Sequence, residues 1–102
     1  MIFINQESEV NLNNGNQVIY FYAPWMMYHK KMIIMIDKME QKYKDIIFYA
    51  VDVDAFKGLC VRFSITSIPE VLLFKNFKKV KNINGIILTS AFKKAFADIY
   101  GN

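Results

Sequence analysis

Cysteine is almost missing from this chain. Cys60 is the only one in 102 residues, so no intramolecular disulfide can form and no cysteine-based zinc site can be assembled. His29 is likewise alone, which leaves no set of ligands to share a metal; neither a metal nor any other cofactor is expected. Arg62 is the single arginine beside twelve lysines. Nucleic-acid recognition draws on arginine forks or on aromatics stacked over a basic face; neither can be placed, so no nucleic-acid partner is favoured. Long apolar runs are missing too. The one nearest the N-terminus breaks at Pro24 and falls short of the roughly 20 residues a spanning helix needs, so no membrane partner is expected. MIFINQESE lacks the basic n-region of a secretory signal. One thiol and no targeting segment fit a reducing compartment, and a cytoplasmic location is expected.

What remains is apolar and ordinary. Hydrophobic residues make up 54% and charged residues 22%, which excludes a disordered chain. There is no repeat, linker or low-complexity tract, so residues 1–102 are read as one domain and a monomer. A chain of this size buries roughly 60% or more of its unfolded surface, enough for a core without staples. Lysine, isoleucine and asparagine share AT-rich codons. That bias reads as genomic, and it takes functional weight from the net charge of +4.

The pattern along the chain is strand and helix in turn. Ile2–Ile4 is a short β-like run, and Gln6–Asn16 is polar apart from Val10 and Leu12, closed by Asn14-Gly15. Val18–Ala23 is a continuous apolar run of the kind found in strands buried on both faces. Residues 26–44 set Met32, Met35, Ile36, Met39 and Tyr43 at helical spacing, with Lys38, Gln41, Lys42 and Lys44 opposite. Ile46–Val53 is a second buried strand. Asp54 stands where an N-cap would, ahead of the helical stretch AFKGLCVRF. Val71–Lys75 and Lys79–Ile83 are strands about a turn at Asn76-Phe77. Thr89 or Ser90 caps a last helix, AFKKAFADIY, ended by Gly101. Strand, long helix, strand is a right-handed βαβ unit with parallel strands. The later hairpin adds antiparallel ones, giving an α/β sandwich about a mixed sheet with helices on both faces.

Five segments in this order resemble the thioredoxin family from end to end. VIYFYAPW is similar to the strand running into the family's Trp-Cys-Gly-Pro-Cys-Lys loop, and IIFYAVDVDAF to its third strand with the trailing aspartate. RFSITSIPEVLLFKN resembles the segment around the family's cis-proline, and Gly85 with the last helix completes the set. The resemblance implies a thioredoxin fold with four flanking helices and a cis peptide at Ile68-Pro69 beside the active-site loop. The family's activity, thiol-disulfide exchange, needs a thiolate to attack and a second thiol to resolve the mixed disulfide.

The residues that carry that chemistry have changed together. Met26 stands for the first cysteine and His29 for the second, within Trp25-Met26-Met27-Tyr28-His29-Lys30. A thioether neither ionises nor forms a mixed disulfide, so no catalytic residue is expected and the dithiol reaction is chemically closed. The family's buried acid falls on Tyr20, its partner lysine on Ala50, and the threonine after the cis-proline on Glu70. Ile34 replaces the proline that kinks the long helix, so an unkinked helix is expected. Phe77 replaces the hairpin glycine; because an aromatic is unfavourable at φ > 0, a different loop is expected there.

Three functions remain open. In the first, Trp25, Met26, Met27, Tyr28 and His29 join Ile68 and Pro69 as an apolar surface that holds a protein or extended peptide. Simple packing of those side chains into the domain is the bland counterpart. The second is a thiol-exchange role in redox homeostasis through Cys60 alone, against its reading as a buried structural thiol facing the sheet. The third is anion binding by Lys75, Lys78, Lys79 and Lys81, against lysines that guard a sheet edge.

Overall fold

A computed structural model describes residues 1–101. Five strands form one mixed sheet: β1 (Ile2–Phe3), β2 (Gln17–Tyr22), β3 (Ile47–Asp52), β4 (Glu70–Lys75) and β5 (Lys78–Asn84), in the spatial order β1-β3-β2-β4-β5. β1, β3 and β2 run parallel, β4 pairs antiparallel with β2, and β5 antiparallel with β4. Every residue of β2 is buried, which is why its sequence shows no alternation.

Three α-helices cover the sheet: α1 (His29–Lys42), α2 (Lys57–Arg62) and α3 (Thr89–Tyr100). On one face, Met32, Met35, Ile36 and Met39 of α1 and Phe92, Ala95 and Phe96 of α3 pack on Val18, Tyr20, Phe48, Ala50, Val71 and Leu73. On the other, Leu59 of α2 joins Ile4, Val10, Ile19, Phe21, Val51, Leu72 and Phe74. The four helices implied by the resemblance are therefore three. In place of the first lie two single turns of 3-10 helix, Glu7–Glu9 and Leu12–Asn14. Their stretch holds too few apolar residues to bury a full helical face: Val10 alone is in the core, with Leu12 packed against it. None of the described helices is long and apolar enough to cross a membrane.

Element ends differ from expectation where capping chemistry was misread. The long helix begins at His29 rather than near residue 26, because PWMMYHK offers no side chain that accepts from the first N–H groups; Tyr28 is an N-cap without a side-chain bond. Asp54 does not cap α2, whose N-cap is Phe56; it is Asp52 whose Oδ1 accepts from the N–H groups of Asp54 and Ala55. Neither Thr89 nor Ser90 caps α3. Leu88 stands at that N-cap, while the Thr89 hydroxyl lies 3.5 Å from the Met35 sulfur. With isoleucine at position 34, α1 continues through Lys42 without a break.

The hairpin corrects a further expectation. β4 and β5 are joined by the two-residue turn Asn76-Phe77 after all, with φ of 53° and 69° at the two residues, the mirror-image geometry that suits strand twist. Two bonds hold it: the Phe77 N–H donates to the Gly15 carbonyl (3.0 Å) and the Asn76 N–H to the Asn16 side-chain oxygen (3.2 Å). Beyond the turn, Leu73 faces Lys81 and Phe74 faces Lys79, so Val80 is an extra residue that bends the edge strand. A left-handed conformation costs a residue with a Cβ about 1–2 kcal/mol. Phe77→Gly is accordingly expected to stabilise the fold by about 1 kcal/mol, read as a higher urea midpoint at unchanged slope. A lower midpoint would show that the ring's packing beside Gly15 outweighs the backbone strain.

Candidate functional site

The loop after β2 and the chain that enters β4 meet at one end of the sheet. Phe21 lies opposite Glu70 in the antiparallel pair, so Ala23-Pro24-Trp25 leaves where Ile68-Pro69 arrives. The Ile68-Pro69 peptide is cis. The Pro69 carbonyl accepts from the Gly85 N–H at 2.8 Å, which brings the 85–88 segment to the same end. Trp25, Met26, Met27, Tyr28 and His29 are thus on one rim with Ile68 and Pro69, at the carboxyl ends of the parallel strands where open α/β sheets bind ligands.

The loop is built from tight turns. The Met26 N–H donates to the Ala23 carbonyl (3.0 Å) and the His29 N–H to the Met26 carbonyl (3.1 Å), after which the Met32 N–H opens the helical ladder on Tyr28 (3.0 Å). Met26 turns inward and packs on the core beneath α1 and α3. Its neighbours do not: Trp25 is 74% and Met27 84% exposed, and Tyr28 is exposed as well. Trp25 is fixed nonetheless, because its indole N–H donates to Asp54 Oδ2 at 2.9 Å. Packing into the domain therefore holds for Met26 and in part for His29, which is half-buried; beside the loop, Ile68 is half-buried against the α2-face core and Pro69 is buried, so the expected exposed surface comes down to Trp25, Met27 and Tyr28. Ile86 and Leu88 add further exposed apolar surface on the adjoining segment.

His29 and Tyr20 are joined. The Tyr20 hydroxyl and His29 Nδ1 are 2.9 Å apart, and the imidazole stacks on Tyr22, with ring centres 4.4 Å apart and planes within 9°. Tyr20 is buried, and burial raises its phenol far above the usual range, with Tyr22 adding to the effect. Burial pushes the His29 imidazole down from its ordinary value; Asp52 opposes this more weakly. A neutral imidazole beside a phenol that stays protonated fixes the pattern. Among the described residues the buried O–H has no other acceptor, so it donates to Nδ1, and Nε2 carries the ring proton. By the resemblance these two positions hold the buried acid and the second cysteine.

Glu70, after the cis-proline, is buried and accepts from the Asn82 side-chain amide at 3.2 Å. Sequence reasoning missed three of these partners. Asp54 was read as a cap, although an aspartate after an apolar strand and within reach of a lone exposed tryptophan was a usable signal. Tyr22 and Asn82 gave none, since a stacked ring and a cross-strand amide depend on register.

The other two candidates lie elsewhere. Cys60 is half-buried rather than buried, on the α2 face, with its sulfur 4.0 Å from the Val53 carbonyl. Gly58 lets the Glu7 carboxylate lie against the same helix: a Cβ there would stand 2.6 Å from the carboxylate oxygen. Burial first, and then Glu7 and Asp54, push the Cys60 thiol up, more than its backbone hydrogen bond lowers it. Thiolate is thus scarce at neutral pH. The Cys60 thiol is expected to react with a disulfide reagent at pH 7 more slowly than in the urea-unfolded chain, the gap closing as pH rises past the folded value. Equal rates in the two states would contradict this. The lysine hairpin lies at the opposite end of the sheet, where Lys75 donates to the Ile99 carbonyl at the end of α3 (2.8 Å) and Lys78, Lys79 and Lys81 are exposed on the edge strand.

Comparison with known proteins agrees with this fold. The thioredoxin family model matches residues 4–98. Thioredoxin-1 of Saccharomyces cerevisiae is 35% identical over 80 residues, 78% of this chain and 77% of that protein. Mitochondrial thioredoxin 3 of the same yeast, solved in its oxidised form, superposes with a TM-score of 0.83 at 27% identity, over 96% of this chain and 94% of that one. Thioredoxin O2 of Arabidopsis thaliana, also oxidised, shares the fold with a TM-score of 0.88 at 21% identity, over 97% and 93% of the two chains. Sheet order, the cis peptide at Pro69, the indole-bearing loop beside it and these matches converge: the chain belongs to the thioredoxin family.

Proposed function

We propose that this chain is a redox-inactive member of the family that holds an extended peptide or partner protein on the rim formed by Trp25–His29, Ile68-Pro69 and the 85–88 segment. One observation carries the reading. Trp25 and Met27 stand exposed at the end of the sheet where Pro69 enters, with a thioether and an imidazole where two sulfurs would exchange electrons. Apolar side chains kept in water on a rigid loop favour a partner that covers them, and methionine adapts to varied surfaces. An extended segment can add backbone hydrogen bonds beside a strand end without any covalent step. A thiol role for Cys60 lacks comparable support, since its thiol is pushed up and sits on the α2 face.

Selection of random heptapeptides on the immobilised chain tests the proposal. Selected peptides are expected to quench or shift Trp25 fluorescence and to move amide signals of residues 25–29, 68–69 and 85–88. A Trp25→Ala/Met27→Ala variant should lose the binding at unchanged melting temperature. Recovery of no binder, or of binders that move only signals elsewhere, overturns it.

A further inference from the structure

The charge and hydrogen-bonding pattern of this rim points to the chemistry of its occupant. The carboxylates at this end of the sheet keep their charge but spend acceptor oxygens on neutral donors. Asp52 accepts from two backbone N–H groups, Asp54 from the Trp25 indole, and Glu70 from Asn82. Lys30 and Lys31, the two residues after His29, are exposed and make no ion pair among the described residues. His29 has one nitrogen tied to Tyr20. The other, Nε2, makes no hydrogen bond among the described residues and is not enclosed. A donor and two cations thus lie unanswered beside exposed Trp25, Met27 and Tyr28.

We infer that the rim is selective for an extended peptide that carries a carboxylate side chain next to an apolar one, the carboxylate accepting from His29 Nε2–H at the start of α1, whose first turn also carries the exposed Lys30 and Lys31. The inference rests on the proposed peptide-binding role and deepens it. A noncovalent donor site takes the place of the covalent capture a thiolate provides. Tyr20 is a positioning residue, because its hydroxyl occupies Nδ1 and leaves the proton on the outward nitrogen. The groups that face the imidazole are Tyr20 and Tyr22 from β2 and Asp52 from the end of β3. On acidification the ring takes up a second proton, Nδ1–H donates to the phenol oxygen, and the imidazolium attracts the carboxylate more strongly. A peptide glutamate, near 4.3 when free, stays ionised at pH 5.5. Because burial lowers the imidazole below its ordinary value, binding is expected to tighten only as the pH falls below that value, toward pH 5.5 and under.

Two synthetic peptides, acetyl-Ala-Leu-Glu-Leu-Ala-amide and its glutamine counterpart, are titrated into the native chain by NMR. The glutamate peptide is expected to bind about tenfold more tightly and to shift the His29 Nε2 resonance, with the advantage growing at pH 5.5 and shrinking with added salt. Tyr20→Phe should reduce the advantage and give mixed imidazole tautomers in the nitrogen spectrum, which a merely space-filling tyrosine would not do. His29→Asn should abolish the pH dependence. Equal binding of both peptides at residues 25–29 overturns the carboxylate preference and leaves the peptide-binding role standing. If neither peptide moves those residues at any attainable concentration while selected heptapeptides do, this preference alone fails; if the heptapeptides fail as well, both readings fall.

Discussion

Truncation of Phe96 to alanine is expected to destabilise this protein by about 3–5 kcal/mol, the range for removing a fully buried aromatic ring. Phe96 is fully buried on α3, and its ring centre lies 5.1 Å from that of Phe92, 5.7 Å from Tyr100, 5.8 Å from Tyr43 and 6.1 Å from Phe48. It is where α3 joins the C-terminal end of α1 to the sheet. Because domains of this size hold only about 5–15 kcal/mol in total, the melting temperature should fall by on the order of 20 °C. Val61→Ala, on the outer side of α2 and 81% exposed, is the control and should change stability by less than about 0.5 kcal/mol. A loss below about 1 kcal/mol for Phe96→Ala would mean that the aromatic cluster is not the core of this face.

The second large effect concerns chemistry. A Met26→Cys/His29→Cys variant is expected to reduce insulin disulfides in the presence of dithiothreitol, an activity not expected of the native chain. The loop already turns into α1 through the Met26 and His29 N–H bonds, so two thiols placed there stand one helical turn apart at a helix N-terminus, where a thiolate is favoured. The recovered rate should fall short of the family's. By the resemblance, Tyr20 falls where the family keeps a buried acid; its phenol is held protonated by burial, and a missing acid–base group costs roughly 10²-fold or more. Adding Tyr20→Asp should raise the rate further. A folded double variant with no activity would show that this scaffold has lost more than its sulfurs.

The sheet and its core were legible because burial leaves a mark on composition. VIYFY and IFYAV are apolar throughout since both faces are covered, and the methionines of α1 fall at helical spacing since one face meets the sheet. Helix starts were not legible, because caps were sought in side chains; Tyr28, Phe56 and Leu88 begin their helices without one. Phe77 misled for a related reason. Local preference argues against a left-handed phenylalanine, but hydrogen bonds that the Asn76 and Phe77 N–H groups donate to residues 16 and 15 hold the turn from outside. By the resemblance, motif order alone marks Met26 and His29 as the altered pair. The link from His29 to Tyr20 could not, because it joins a helix to a strand through a distance that only the folded sheet sets.

The turbidity assay of insulin reduction by the unaltered chain tests the central claim most directly. Aggregation of the insulin B chain is expected to begin no earlier with the protein and dithiothreitol than with dithiothreitol alone, and Cys60→Ser should change nothing. An onset accelerated to the degree that dithiol relatives produce would contradict the account, since the electrons would then be passing through a site that holds Met26 and His29 in place of cysteine.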